Sequence, residues 1–313
     1  MPRLAGPLAT GYEAGMRFGL TSPIVTLAAR SHAPWEISAG PRELREIAVA
    51  ADRFGFHHLT CSEHVGIPPD IVAMRGGRYY DPLATFGYLA AVTERIRFVT
   101  HVIVLPYHHP LEVAKRYGTL DLISGGRLVL GVGVGSLEPE FRLLGVDFAG
   151  RGPVYEDGLR ALRAVLGRRE PSYEGTHYRI GGFIIDPCAV QERMPIWLGG
   201  RSARSLRRAL ELADGWDPFY LTVDELEALL ARARSWPAWR EREARAEPID
   251  LVFSPDAIFD VTRADQRDEM RALVRRYHAI GTTVLTLRFR SSSCAHFVEQ
   301  LEAFAREIGP EFA

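Results

Sequence analysis

The strongest constraint in this sequence is an alternation: eight short apolar runs, each followed by a stretch of helical character. The apolar runs are 17–21 (RFGLT), 56–61 (FHHLTC), 96–105 (IRFVTHVIVL), 127–133 (RLVLGVG), 195–199 (PIWLG), 216–220 (WDPFY), 249–254 (IDLVFS) and 283–289 (TVLTLRF). The first helix opens at Pro41, carries Leu44, Ile47, Ala48, Ala51 and Phe54 on one face of a 3.6-residue period, and is stopped by Gly55. Further helices are predicted over 81–93, 111–123, 153–166, 202–213, 223–235, 265–280 and 294–307. Apolar strands separated by helices ask for a parallel sheet buried on both faces, and eight units is the number that closes a (β/α)8 TIM barrel. The competing doubly wound open sheet would put a glycine turn after the first strand, and 22–30 (SPIVTLAAR) contains no glycine. One barrel is therefore expected over 16–313, preceded by a disordered extension at 1–15, with Met16 a candidate initiator. The stretch 167–194 breaks the rhythm with Gly, Pro and aromatic residues and reads as a hairpin insertion over or beside the barrel mouth.

Composition narrows the function classes. The chain of 313 residues is 47% hydrophobic and 25% charged with formal net charge −1, as in a soluble globular protein. That balance gives no electrostatic reason to expect nucleic acid or an anionic membrane as partner. Of 38 basic residues only Lys115 is a lysine, which reads first as codon bias. Cys61, Cys188 and Cys294 stand far apart with no C-x-x-C spacing, which points to a reducing cytoplasm. Residues 1–15 lack the apolar core of a signal peptide, and no stretch reaches the roughly 20 apolar residues of a membrane span.

In a barrel the chemistry belongs at the C-terminal strand ends. After strand two comes Ser62-Glu63-His64, a carboxylate beside an imidazole able to exchange protons near neutral pH, or else a surface pair without a role. Strand three carries His101, whose polar ring needs a partner inside an apolar strand; a satisfied core histidine is the competing explanation. His108-His109 fits no zinc spacing and no H-E-x-x-H occurs, so no metal is expected. Strand four runs into Gly131-Val132-Gly133-Val134-Gly135-Ser136, a poor dinucleotide fingerprint better explained as bare backbone beside something flat or anionic. Strand five ends in Gly199-Gly200-Arg201-Ser202 at a helix start, which suits a phosphate, or a tight turn with a serine cap.

Together MRFGL, ADRFGFHHLTCSEHV, the run from YYDPLATFGYLAAVT to GVGVGSLEPEFRLLGVDF, and PIWLGGRSARSLRRALELADGW resemble the luciferase-like monooxygenase superfamily. They are nearest the deazaflavin-dependent oxidoreductases that use coenzyme F420. The resemblance covers about 16–221 well and the last units loosely. It implies a barrel that holds an isoalloxazine-like ring at its mouth, with F420, or alternatively FMN, as cofactor and a small organic molecule as substrate. It implies His64 and Glu63 as catalytic residues, Glu63 standing where an Asp is usual and orienting His64. The ring is implied to lie against Thr100, His101 and Val102, with a non-prolyl cis peptide at His101-Val102. Gly133, Gly135 and Ser136 match the loop passing the cofactor, and Gly199, Gly200, Arg201 and Ser202 match the phosphate-side turn. Tyr173, His177, Tyr178 and Phe183 of the insertion would form a lid or wall. The resemblance also implies a homodimer, and a flavin reductase partner should FMN be the cofactor. A non-catalytic flavin-binding barrel is the remaining alternative.

Overall fold

A computed structural model describes residues 15–28 and 32–313; the expected extension 1–15 lies, but for Gly15, outside the described residues. The elements in chain order are β1 (Arg17–Leu20), α1 (Pro41–Arg53), β2 (His58–Cys61), α2 (Val72–Arg75), α3 (Pro82–Ala90), β3 (Arg97–Thr100), β4 (Ile103–Val104), α4 (Pro110–Ser124), β5 (Leu128–Gly133), α5 (Glu138–Leu143) and α6 (Arg151–Val165). They continue with β6 (Tyr173–Glu174), β7 (Arg179–Ile180), β8 (Ile196–Gly199), α7 (Ala203–Leu212), β9 (Gly215–Asp217), α8 (Val223–Ala233), α9 (Pro237–Ala244), β10 (Asp250–Phe253), α10 (Ala264–Ala279), β11 (Val284–Leu287) and α11 (Cys294–Glu307). The large sheet runs β3-β2-β1-β11-β10-β9-β8-β5, all parallel, and the β3–β5 pairing closes it. With β4 continuing β3 beyond a break, this is the expected eight-stranded barrel.

Strand six ends at Asp217, earlier than expected, because Pro218 offers no N–H and Tyr220 turns at φ 53°. Strand three is split at His101-Val102, whose peptide bond is cis, at the bond implied by the family resemblance.

Side-chain alternation sorts the strands into two cores. Phe98, Leu130 and Leu198 face outward into the layer shared with the helices. Val99, Val129, Trp197, Val252 and Val284, one from each of five strands, form a separate cluster inside the barrel. Two glycines open that interior to larger rings. A Cβ on Gly215 would lie 2.2 Å from Cδ1 of Trp197, and one on Gly19 would lie 2.0 Å from Cε1 of His58. Gly215→Ala should therefore cost about 1–3 kcal/mol through overpacking, read as a lower urea midpoint at unchanged slope. A variant as stable as the parent would show that the interior has slack.

Connections fall at two ends. Loops from strand to helix, such as 62–81 and 134–150, stand at the mouth, whereas loops from helix to strand return to the opposite end. The insertion 167–194 joins α6 to β8 and so springs from the far end. Asp121 near the end of α4 accepts from the N–H groups of Val190 and Gln191 at 2.9 and 3.0 Å. Asp157 of α6 accepts from the Tyr173 hydroxyl and the His177 N–H, both at 2.6 Å. Only Tyr178 reaches the rim, its ring 5.4 Å from that of His109. The expected lid is thus a strap along α4 and α6, with Phe183 exposed, and the long covering loop is 62–81.

Candidate active site

The residues after β2 divide their work. Ser62 donates its hydroxyl to the carbonyl of His101 at 2.8 Å. The N–H of Glu63 donates to the carbonyl of Val102 at 3.2 Å, and its Oε2 accepts from the N–H of Val104 at 2.6 Å. Its Oε1 faces Nε2 of His108 at 2.8 Å. Burial pulls the His108 ring toward neutrality, but the Glu63 carboxylate more than offsets this, so its pKa lies above the ordinary value. Glu63 therefore braces the strand-three break and does not orient His64, which corrects the sequence expectation.

Glu140 on α5 takes that place. Its Oε2 lies 2.8 Å from Nδ1 of His64 and accepts from the Tyr107 hydroxyl at 3.0 Å, while Oε1 accepts from the N–H groups of Val65 and Gly66. The side chain has no solvent exposure. Burial alone would raise its pKa; the hydrogen bonds from His64, Val65 and Tyr107 outweigh that and hold the carboxyl below its ordinary range. Because a carboxylate only accepts, Nδ1 of His64 carries a proton. Nε2 has no hydrogen-bond partner among the described residues, and the Tyr79 ring packs edge-on with its centroid 4.5 Å away. Tyr79 belongs to the covering loop, which is tied to the segment after β1 through the Tyr80 N–H donating to the Val25 carbonyl at 2.9 Å.

Inside the mouth, His101 points across the barrel axis. Its Nε2 lies 3.0 Å from Oδ2 of Asp217, at the end of β9, three strands away around the barrel. The contact has the distance of an ion pair without the alignment of a hydrogen bond, for neither Asp217 oxygen has a hydrogen-bond partner among the described residues. The hydroxyls of Ser22, Thr26 and Ser254, just beyond β1 and β10, are likewise buried without partners. Orphaned polar atoms thus gather at the C-terminal strand ends, where a polar ligand can satisfy them.

The remaining expected residues separate. Thr100 is fully buried and its hydroxyl donates to the Gly131 carbonyl at 2.7 Å, so its side chain is turned away from the mouth. The strand-four glycines have a packing cause: a Cβ on Gly133 would stand 2.6 Å from Cγ2 of Val102, and one on Gly135 would stand 2.5 Å from the Phe141 ring. Ser136 is exposed beside Arg75, at 3.4 Å. A Cβ on Gly199 would approach Val102 Cγ1 to 3.2 Å, so this glycine also borders the break. Gly200, at φ 126°, offers its carbonyl to Trp216 Nε1 at 2.9 Å. Ser202 caps α7, accepting from the Ser205 N–H at 3.2 Å, as the tight-turn alternative had it. Arg201 is exposed over the Phe219 ring at 5.6 Å. Glu140, Tyr107 and Asp217 escaped the sequence reading. An aspartate at the end of an apolar strand was a usable signal for Asp217, while Glu140 in SLEPEF had none beyond its place after strand four.

A parallel barrel with an imidazole, a histidine–aspartate contact and unsatisfied polar atoms at its mouth has the architecture of a barrel enzyme. The chain belongs to the luciferase-like monooxygenase family, whose profile matches residues 16–310, and is an oxidoreductase of that family. A Mycobacterium tuberculosis protein described as uncharacterized is 31% identical over 223 residues, 67% of this chain and 76% of the relative. An F420-dependent glucose-6-phosphate dehydrogenase of Microbacterium testaceum is 28% identical over 200 residues, 61% of this chain and 58% of the relative. Among solved structures, monooxygenase RslO1 of Streptomyces bottropensis superposes with TM-score 0.76 at 22% identity, covering 95% of this chain and 100% of that one. The FMN complex of the 3,6-diketocamphane monooxygenase oxygenating constituent of Pseudomonas putida does so with TM-score 0.70 at 17% identity, covering 96% and 99%. No helix among the described residues is long and apolar enough to cross a membrane.

Because Glu140 is held below its ordinary pKa, its hydrogen bonds contribute stability above the ordinary carboxylate value of about 4.3, and that contribution is lost as pH falls through the lower folded value. Glu140→Gln should lose about 1.5–3 kcal/mol at pH 7, with the gap to the parent closing under acid. Urea unfolding at pH 7 and pH 4 measures this, and a gap that widens under acid contradicts the assignment.

Proposed function

We propose that this chain is a cytoplasmic oxidoreductase that transfers a hydride between coenzyme F420 and a small organic substrate held near His64. The observation that carries the reading is the 2.8 Å contact between Nδ1 of His64 and the buried Glu140 carboxylate. Glu140 holds the Nδ1 proton in place, so Nε2 is the nitrogen left to give or take a proton at the mouth. Deazaflavin, bound, supplies two-electron hydride chemistry. The residues present fit such a group. Unsatisfied polar atoms of Ser22, Thr26, Asp217 and Ser254 stand at or beyond the ends of β1, β9 and β10, and the braced His101-Val102 break lies at the end of strand three, where His101 meets Asp217. Gly199, Gly200 and Arg201, with the N–H groups opening α7, would take the phosphate side, and Gly135 and Ser136 would border the ring. The F420-dependent dehydrogenase among the relatives supports this choice.

The second reading, a monooxygenase using reduced FMN and oxygen with a flavin reductase as partner, is favoured by the likeness to the FMN-bound monooxygenase. Titrating the purified protein with F420 and with FMN separates the two: F420 is expected to bind, and tight FMN binding without F420 affinity overturns the first reading. His64→Ala should lower turnover at least about 100-fold while cofactor affinity stays within a few-fold. Unchanged turnover removes His64 from catalysis.

A further inference from the structure

The floor of the mouth carries an electrostatic feature that hydride transfer does not itself require. His101 on strand three and Asp217 on strand six meet across the barrel axis at 3.0 Å. The two are not equally placed: the His101 side chain is 23% exposed and that of Asp217 only 1%. A ligand entering the mouth therefore meets the imidazole, with the carboxylate behind it. Burying a carboxylate with no hydrogen bonds is costly unless an opposite charge stands beside it, and His101 is the group in that position.

We propose that Asp217 keeps His101 protonated, and that the imidazolium so held makes the site a receptor for the ionised form of its heteroaromatic ring. The inference rests on the cofactor reading above and adds the charge state that the site selects. The other titratable groups facing His101 agree with it. His58, below it on β2, is buried and is held down at about 3 by that burial and by the charges of His101 and Arg17, so it stays neutral and adds no competing cation. Asp217 draws His101 the other way: burial alone would lower its pKa, yet the carboxylate leaves it above the ordinary value. A cation at the floor attracts negative charge on the ring, and both F420 and reduced FMN carry a ring proton whose loss creates such charge and changes the absorption spectrum.

The test reads the ring and the histidine separately. Absorbance of bound F420, and of bound reduced FMN under anaerobic conditions, is followed against pH beside the free cofactor. The acid constant of the bound ring is expected to rise at least about tenfold in the parent protein, with most of that gain lost in Asp217→Asn and in His101→Gln. In the cofactor-free protein, carbon-labelled histidine NMR should show His101 titrating above the ordinary imidazole value of about 6.5 and falling in Asp217→Asn, with a native-like spectrum as the control for folding. A ring that ionises alike bound and free, or a His101 that titrates at or below the ordinary value, overturns the inference alone. Failure of both cofactors to bind overturns the functional reading and this inference with it.

Discussion

Strand three cannot run straight in this barrel, and the mouth is arranged around that break. Between Thr100 and Ile103 the chain steps aside, and strand four accommodates it by carrying no side chains at the contact. A Cβ on Gly131 would lie 1.8 Å from the Thr100 carbonyl oxygen, and one on Gly133 would lie 2.6 Å from Val102. Ser62 and Glu63 hold the step from the other side through three hydrogen bonds. With the break fixed, His101 is aimed inward at Asp217 and Val102 is laid against Gly133 and Gly199. Loss of any one brace would loosen the floor on which a ligand rests.

The same loop separates scaffold from chemistry within three residues. Ser62 and Glu63 are committed to the break, and His64 turns to Glu140. A glutamate, one methylene longer than an aspartate, suits this division. The extra methylene lets one carboxylate span from the Val104 N–H to the His108 ring at 2.6 and 2.8 Å, and leaves the orienting of His64 to a carboxylate from the following unit. Glu140 in turn accepts from four groups, two of them backbone N–H groups of the covering loop. The proton-carrying ring and the loop beside it are thereby set by a single side chain.

The barrel was legible because its signal is periodic and repeated: an error of a residue or two in any strand leaves the number eight unchanged. The rim positions His64 and His101 were legible because polar groups at the ends of apolar strands conflict with their surroundings. Partnerships across the barrel were not. Glu140 lies 76 residues from His64, and Asp217 lies three strands from His101 around the barrel, so neither pairing has a local signature. The insertion shows a different limit. Its composition resembled a lid, but its position after a helix sends it from the far end of the barrel. The glycines of strand four were recognised as bare backbone, but their close contacts with Val102 and Phe141 were not, since a sequence shows that space is needed without showing what fills it.

The charge of the floor depends on its layers. Two imidazoles that share a barrel interior repel if both are protonated, so a cationic His101 is favoured by a neutral His58. His58 meets that condition by burial. Gly19 leaves room for its ring, and its two nitrogens face His57 at 3.0 Å and the Thr286 hydroxyl at 3.1 Å. A neutral ring, with one N–H and one lone pair, can serve two such neighbours. Toward the mouth, neither oxygen of Asp217 has a hydrogen-bond partner among the described residues, and its 3.0 Å contact with His101 closes the interior where solvent begins. Desolvation lowers both histidines: unopposed, it keeps His58 neutral, and opposed by the Asp217 carboxylate it leaves His101 above its ordinary value and facing the ligand.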